Sequence, residues 1–148
     1  MNQQTANRIG LLGGTFNPVH LGHLICAQDA LERFELSKVV LIPCARPPHK
    51  KSSSLIAAEH RLRMLEMAVE GDPRFEVSPV ELERGGVSYT IDTARELKRR
   101  WPSASLVLVL GTDALLELYL WKDIYHLLEL CEIVTLARPG AETAGITA

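Results

Sequence analysis

The chain has 148 residues, 47% of them hydrophobic and 23% charged, with a formal net charge of −2. That length and balance fit one globular domain, residues 1–148, large enough to bury a real core. The slight acidity offers no electrostatic attraction to nucleic acid, and no apolar run approaches the roughly 20 residues of a membrane helix.

Residues 1–8 are polar, and no signal-peptide pattern precedes the first expected strand. Ile9-Gly10-Leu11-Leu12 is a short apolar run that predicts a buried strand. Gly13-Gly14-Thr15-Phe16-Asn17-Pro18-Val19-His20-Leu21-Gly22-His23 follows, and Leu24, Ala27, Leu31 and Phe34 then recur at helical spacing. The glycines therefore sit on a strand-to-helix turn, with His20 and His23 on one face of the first helical turn. Exposed N–H groups at a helix start attract anions, and glycines let a phosphate come close to the backbone. Two imidazoles beside such a phosphate suit the neutralisation of charge during phosphoryl chemistry.

Lys38 to Pro43 predicts a second buried strand. It runs into Pro43-Cys44-Ala45-Arg46-Pro47-Pro48-His49-Lys50-Lys51-Ser52-Ser53-Ser54, a stiff basic loop. The loop reads either as a solvated charged segment or, leaving the ligand-binding edge of a parallel sheet, as a source of phosphate-reaching lysines. Ala57 to Val69 predicts a helix with Leu62, Leu65, Met67 and Val69 inward and Glu59, His60, Arg61 and Arg63 outward. Phe75 to Val80 alternates like a half-exposed strand, and Glu81 to Gly86 turns the chain. Ser88, Thr90 and Asp92 are candidate caps for a helix through Ala94, Leu97 and Trp101. The basic run Lys98-Arg99-Arg100 ends that helix and complements its dipole.

Ser105 to Leu110 is apolar on both faces and predicts a central strand, ending in Gly111-Thr112-Asp113. Asp113 is placed either to bond ribose hydroxyls or to cap the next helix. Trp121 falls near a helix break and serves either as core or as a stacking platform. Asp123 to Leu130 predicts a further helix, and Glu132 to Ala137 a last strand before Arg138-Pro139-Gly140 and an irregular tail, 141–148. Cys26, Cys44 and Cys131 are an odd number without metal-ligand spacing, which predicts buried thiols in a reducing, cytoplasmic setting. The alternation βαβαβαβαβ predicts an α/β fold: an open, mainly parallel Rossmann-like sheet with helices on both faces.

The ordered set Gly-Thr-Phe-Asn-Pro-x-His-x-Gly-His resembles the signature of the HxGH nucleotidylyltransferase superfamily. With Pro47-Pro48-His49-Lys50, Ser88 to Thr93, Gly111-Thr112-Asp113, Trp121 and Arg138-Pro139-Gly140, the chain from Ile9 to Gly140 resembles the bacterial nicotinate-nucleotide adenylyltransferases. The resemblance implies transfer of AMP from ATP to nicotinate mononucleotide in NAD biosynthesis. It implies that Gly13, Gly14, Thr15 and Phe16 wrap phosphates and that His20 and His23 bind the ATP phosphates. Gly111 and Asp113 would hold adenosine, Thr90 and the Lys122 backbone the nicotinate carboxylate, Trp121 the pyridine ring, and Arg138 the mononucleotide phosphate. Lys50 is expected at a phosphate. No residue set is expected to form a metal cage, so Mg²⁺ would arrive with ATP.

One departure stands out. The family's C-terminal Ile-Ser-Ser-Thr motif, followed by an arginine, has no match after Gly140. One alternative is a shortened nucleotide-binding chain without turnover; another is a phosphopantetheine adenylyltransferase, which shares the His-x-Gly-His motif and is nearer this length, although it too would need the missing motif. Packing lost with that motif would expose apolar surface and favour a homo-oligomer.

Overall fold

The computed structural model describes residues 7–46 and 54–137. Within them, five strands form one sheet: β1 (Arg8–Gly14), β2 (Lys38–Pro43), β3 (Phe75–Val77), β4 (Ser105–Gly111) and β5 (Cys131–Leu136). Their order across the sheet is β3-β2-β1-β4-β5, and every pairing is parallel. The chain winds outward from β1 through β2 to β3, then returns to the other side of β1 as β4. That reversal opens a crevice beyond the C-terminal ends of β1 and β4, the usual ligand position in such sheets.

Among the described residues six α-helices connect the strands: α1 (Leu21–Arg33), α2 (Ala58–Val69), α3 (Val80–Arg84), α4 (Thr90–Arg100), α5 (Thr112–Leu116) and α6 (Ile124–Leu130), with a 3-10 turn over Leu118–Leu120. The two-residue period of the strands divides the core into two layers. Ile9, Leu11, Val40, Ile42, Leu106 and Leu108 pack with Ile91, Ala94 and Leu97 of α4 and Leu127 of α6. Val39, Leu41, Val107 and Val109 point the other way, onto Ala27, Ala30 and Leu31 of α1 and Leu65 of α2. Strands buried on both faces account for the near-continuous apolar runs of β2 and β4.

Several details differ from the sequence expectation. The strand expected over 75–80 pairs only over Phe75–Val77, and the expected turn after it is the short helix α3, with Glu81 buried. Ser88, Thr90 and Asp92 do not cap α4; Tyr89 holds the cap position without a side-chain bond. Met67 of α2, expected inward, is largely exposed. Arg61, expected outward, is buried at 1% exposure. Its guanidinium has main-chain carbonyls to satisfy it there, which the helical pattern of α2 does not reveal.

Candidate functional site

Two bays open at the C-terminal ends of the central strands, one of about 520 Å³ and one of about 270 Å³. Both are lined by Gly13, Gly14 and Gly111, so they meet over the β1–β4 boundary. A Cβ added at Gly13 would come no closer than 3.9 Å to the protein, and one at Gly111 would meet nothing within 4 Å. Packing therefore does not require glycine at these positions. Their bare backbone keeps the crevice open to a ligand.

His20 and His23 line the first bay. His20 is not inside α1, as the spacing predicts, but is its N-cap, with extended backbone. Its Nδ1 accepts the Gly22 N–H at 3.1 Å, while His23 Nδ1 accepts the His20 N–H at 3.0 Å. The rings stack with centroids 3.7 Å apart. Because each Nδ1 lone pair is engaged by an amide, each neutral ring carries its proton on Nε2. The pair thus presents two Nε2–H donors. Burial, and secondarily the neighbouring His20, hold the His23 pKa below 6.5 and keep that ring neutral. Gly22 is required for this geometry, since a Cβ would stand 2.9 Å from His20 Cε1. Phe16 has its ring buried edge-on to His23 at 4.8 Å, and its backbone is held at φ +48°. A non-glycine residue in that region is strained, and such strain gathers at functional loops.

Thr90, the first residue of α4, and Trp121 line the second bay. Both are half-buried. The adjacent segment is fixed from several sides: Lys122 Nζ lies 4.5 Å over the Tyr89 ring, and Asp123 accepts from Arg95 at 3.2 Å. His126 Nδ1 stands 3.3 Å from the other Asp123 oxygen, and Asp123 itself has φ +54°. A polar cluster lies beneath. The Thr93 hydroxyl donates to Glu81 Oε2 at 2.6 Å and accepts from Arg84 Nη2 at 2.9 Å. Burial raises the Glu81 pKa, against the opposing effect of the Thr93 bond.

The fold thus brings together Gly13, Gly14, Thr15, Phe16, His20, His23, Gly111, Thr90 and Trp121 around one crevice. Asp113 is exposed one position into α5 and lines neither bay, and Lys122 is exposed with its ammonium over the Tyr89 ring. Lys50 and Arg138 lie outside the described residues. Sequence reasoning missed Arg61, Glu81 and Thr93. For Arg61 a signal was present: with Leu65 and Val69 it forms an i, i+4 stripe, where an arginine is out of place unless satisfied.

Residues 11–147 match the cytidylyltransferase-like family. A probable nicotinate-nucleotide adenylyltransferase of Opitutus terrae is 50% identical over 133 residues, covering 90% of this chain and 68% of the relative. One of the same name from Moorella thermoacetica is 45% identical over 134 residues, covering 90% and 62%. The chain therefore spans 62–68% of the length of these relatives. Among solved structures, a putative nicotinate-nucleotide adenylyltransferase from Vibrio parahaemolyticus superposes with a TM-score of 0.73 at 18% identity, over 89% of this chain and 74% of that one. The Plasmodium falciparum nicotinic acid mononucleotide adenylyltransferase complexed with NaAD gives 0.69 at 14% identity, over 92% and 77%. At those identities the likeness shows the fold.

Proposed function

The chain belongs to the cytidylyltransferase-like family and to its nicotinate-nucleotide adenylyltransferase branch, and from that premise we propose that it transfers AMP from ATP to nicotinate mononucleotide, releasing pyrophosphate. The observation that carries this reading is the pair of bays that share Gly13, Gly14 and Gly111, one bearing His20 and His23 and the other Thr90 and Trp121. Two substrates bound there would meet end to end over bare backbone. A mononucleotide phosphate oxygen attacks the α-phosphorus of ATP in line, and the new P–O bond forms as pyrophosphate departs with the electrons of the broken one. No covalent enzyme intermediate is needed, so catalysis is positioning plus charge stabilisation.

In this reading the backbone of Gly13 to Phe16 and the two Nε2–H donors hold the ATP phosphates. Gly111 and Asp113 hold adenosine. The Thr90 hydroxyl and the Lys122 backbone receive the nicotinate carboxylate while Trp121 stacks on the ring, and Lys50 and Arg138 are assigned to phosphates. Among the described residues no group of three or more His, Cys, Asp or Glu is arranged around a metal. Imidazoles and amides at the first bay fit a Mg²⁺ carried on the triphosphate, where it would share the phosphate charge. Nucleotides are the partners of this site; a single domain, a cytoplasmic setting and self-association through the exposed Leu116, Tyr119 and Leu120 complete the proposal.

The test is pyrophosphate release by this chain with ATP, Mg²⁺ and nicotinate mononucleotide, with the amidated mononucleotide and phosphopantetheine run alongside. Turnover with the nicotinate substrate is expected, and slower turnover with the amide, which forfeits charge-assisted bonds. Preference for phosphopantetheine would overturn the reading. Saturable nucleotide binding without pyrophosphate would instead identify a binding chain that lacks turnover.

A further inference from the structure

Arg61 is a charged residue that the proposed chemistry leaves unused, and it is almost wholly buried. A buried guanidinium persists only where its donors are satisfied. Here Nε donates to the Ile56 carbonyl at 2.8 Å, and Nη1 donates to the carbonyls of Thr15 and Cys44, each at 2.8 Å. These acceptors come from three segments: the loop after β1, the residue after β2, and the approach to α2. All three are neutral, and among the described residues no carboxylate forms an ion pair with Arg61. A full positive charge therefore remains beneath the glycine loop. In a poorly polarisable interior its field reaches farther than it would in water.

The contact with Thr15 gives that charge a direction. Thr15 lines the second bay and Phe16 the first, so the peptide joining them runs between the two. Carbonyl and N–H point opposite ways across a trans peptide. With Arg61 on the carbonyl, the Phe16 N–H points away from the guanidinium, and the peptide dipole adds to the charge instead of opposing it. We infer that Arg61 is a positioning residue whose buried charge and three carbonyl bonds set the loop between the bays and tune it for anionic phosphate. The inference rests on the reading of that loop as part of the ATP site.

The molecule contains a natural control. Asn17 grips the same neighbouring segment without charge: its Oδ1 accepts the Ile56 N–H at 2.7 Å, and its Nδ2 donates to the Ser54 carbonyl at 3.0 Å. Asn17 holds the peptide before the Ile56 Cα by its N–H, and Arg61 holds the peptide after it by its carbonyl. Loss of either loosens the loop, but only loss of Arg61 removes charge.

The experiment is titration of folded wild type, R61M, R61K and N17A with ATP, AMP and adenosine at constant Mg²⁺. R61M is expected to weaken adenosine about as much as N17A does, ATP about tenfold or more beyond that, and AMP by an intermediate factor. N17A should weaken all three alike. R61K, which keeps the charge but not the planar fork, should melt lower yet retain the wild-type ratio of ATP to adenosine affinity within about twofold. Equal loss across the three ligands in R61M, or no loss, overturns the inference. Should R61M fail to fold, R61K decides: a retained ratio supports the inference and a collapsed one overturns it. A wild-type chain that binds none of the three overturns the ATP-site reading itself, and this inference with it.

Discussion

Two strand-to-helix junctions flank the crevice, and they are built in opposite ways. After β1 the chain passes from Thr15 to His20 in a loop bound by Arg61 and Asn17, then closes the start of α1 with reciprocal His20 and His23 bonds. The thirteen-residue helix that follows buries Ala27, Ala30 and Leu31. After β4 the chain turns at Gly111 straight into α5, five residues long, with no side-chain N-cap and no buried residue. The first junction is over-determined and the second is lightly held. A group that must stabilise developing phosphate charge gains from donors fixed in advance, whereas a surface that accepts a base or a ring needs area more than rigidity.

The largest test of that contrast is His20→Ala. Removing one pre-set donor should lower turnover about 100-fold or more, with the far-UV circular dichroism unchanged. A folded variant with normal kinetics would remove the over-determined junction from the chemistry. Gly22→Ala is subtler, because alanine improves intrinsic helix propensity by about 1 kcal/mol. Its Cβ nevertheless meets the His20 ring at 2.9 Å. Activity should therefore fall about tenfold while the melting temperature holds or rises, and kinetics that stayed normal would show that the ring can shift without cost.

In the second bay, Trp121→Ala should raise KM for the mononucleotide about tenfold, as expected for a lost stacking surface, and leave KM for ATP unchanged. Equal rises in both would mean that the second bay is not separate from the first. The smallest effect is on stability against pH. His23 has a pKa held below 6.5 by burial, so its contribution is complete above that value and is lost as pH falls through the lower, folded-state pKa. Protonation at Nδ1 would also break the bond from the His20 amide. Chemical denaturation between pH 7 and 5 should show His23→Gln flattening the acid-side decline; an unchanged slope would place that decline elsewhere.

Much of this architecture is legible in the sequence, for physical reasons. Lys38 to Pro43 and Ser105 to Leu110 read as strands because residues buried on both faces must be apolar throughout, and they occupy the inner sheet next to β1. The histidine pair was legible because its spacing and glycine are a local device: the cap closes within four residues. Glu81 to Gly86 reads as a turn, which holds at Gly85 and Gly86; Val80–Arg84 is helical instead, because a helix this short has no room for a periodic signal and its buried carboxylate depends on a threonine twelve positions on.

What the sequence by itself determined is the local part: the strands, the glycine turn, the pairing of His20 with His23 at the helix start and the parallel α/β class they imply. Each of these is encoded by side chains within a few residues of one another. The tertiary structure alone decided that Thr90 and Trp121 share a bay, that Gly13 and Gly111 meet, and which groups receive the Arg61 guanidinium. The acceptors that made room for Arg61 are main-chain carbonyls of Thr15, Cys44 and Ile56. Every residue carries such a carbonyl, so no sequence pattern marks which ones the fold leaves open to a buried charge.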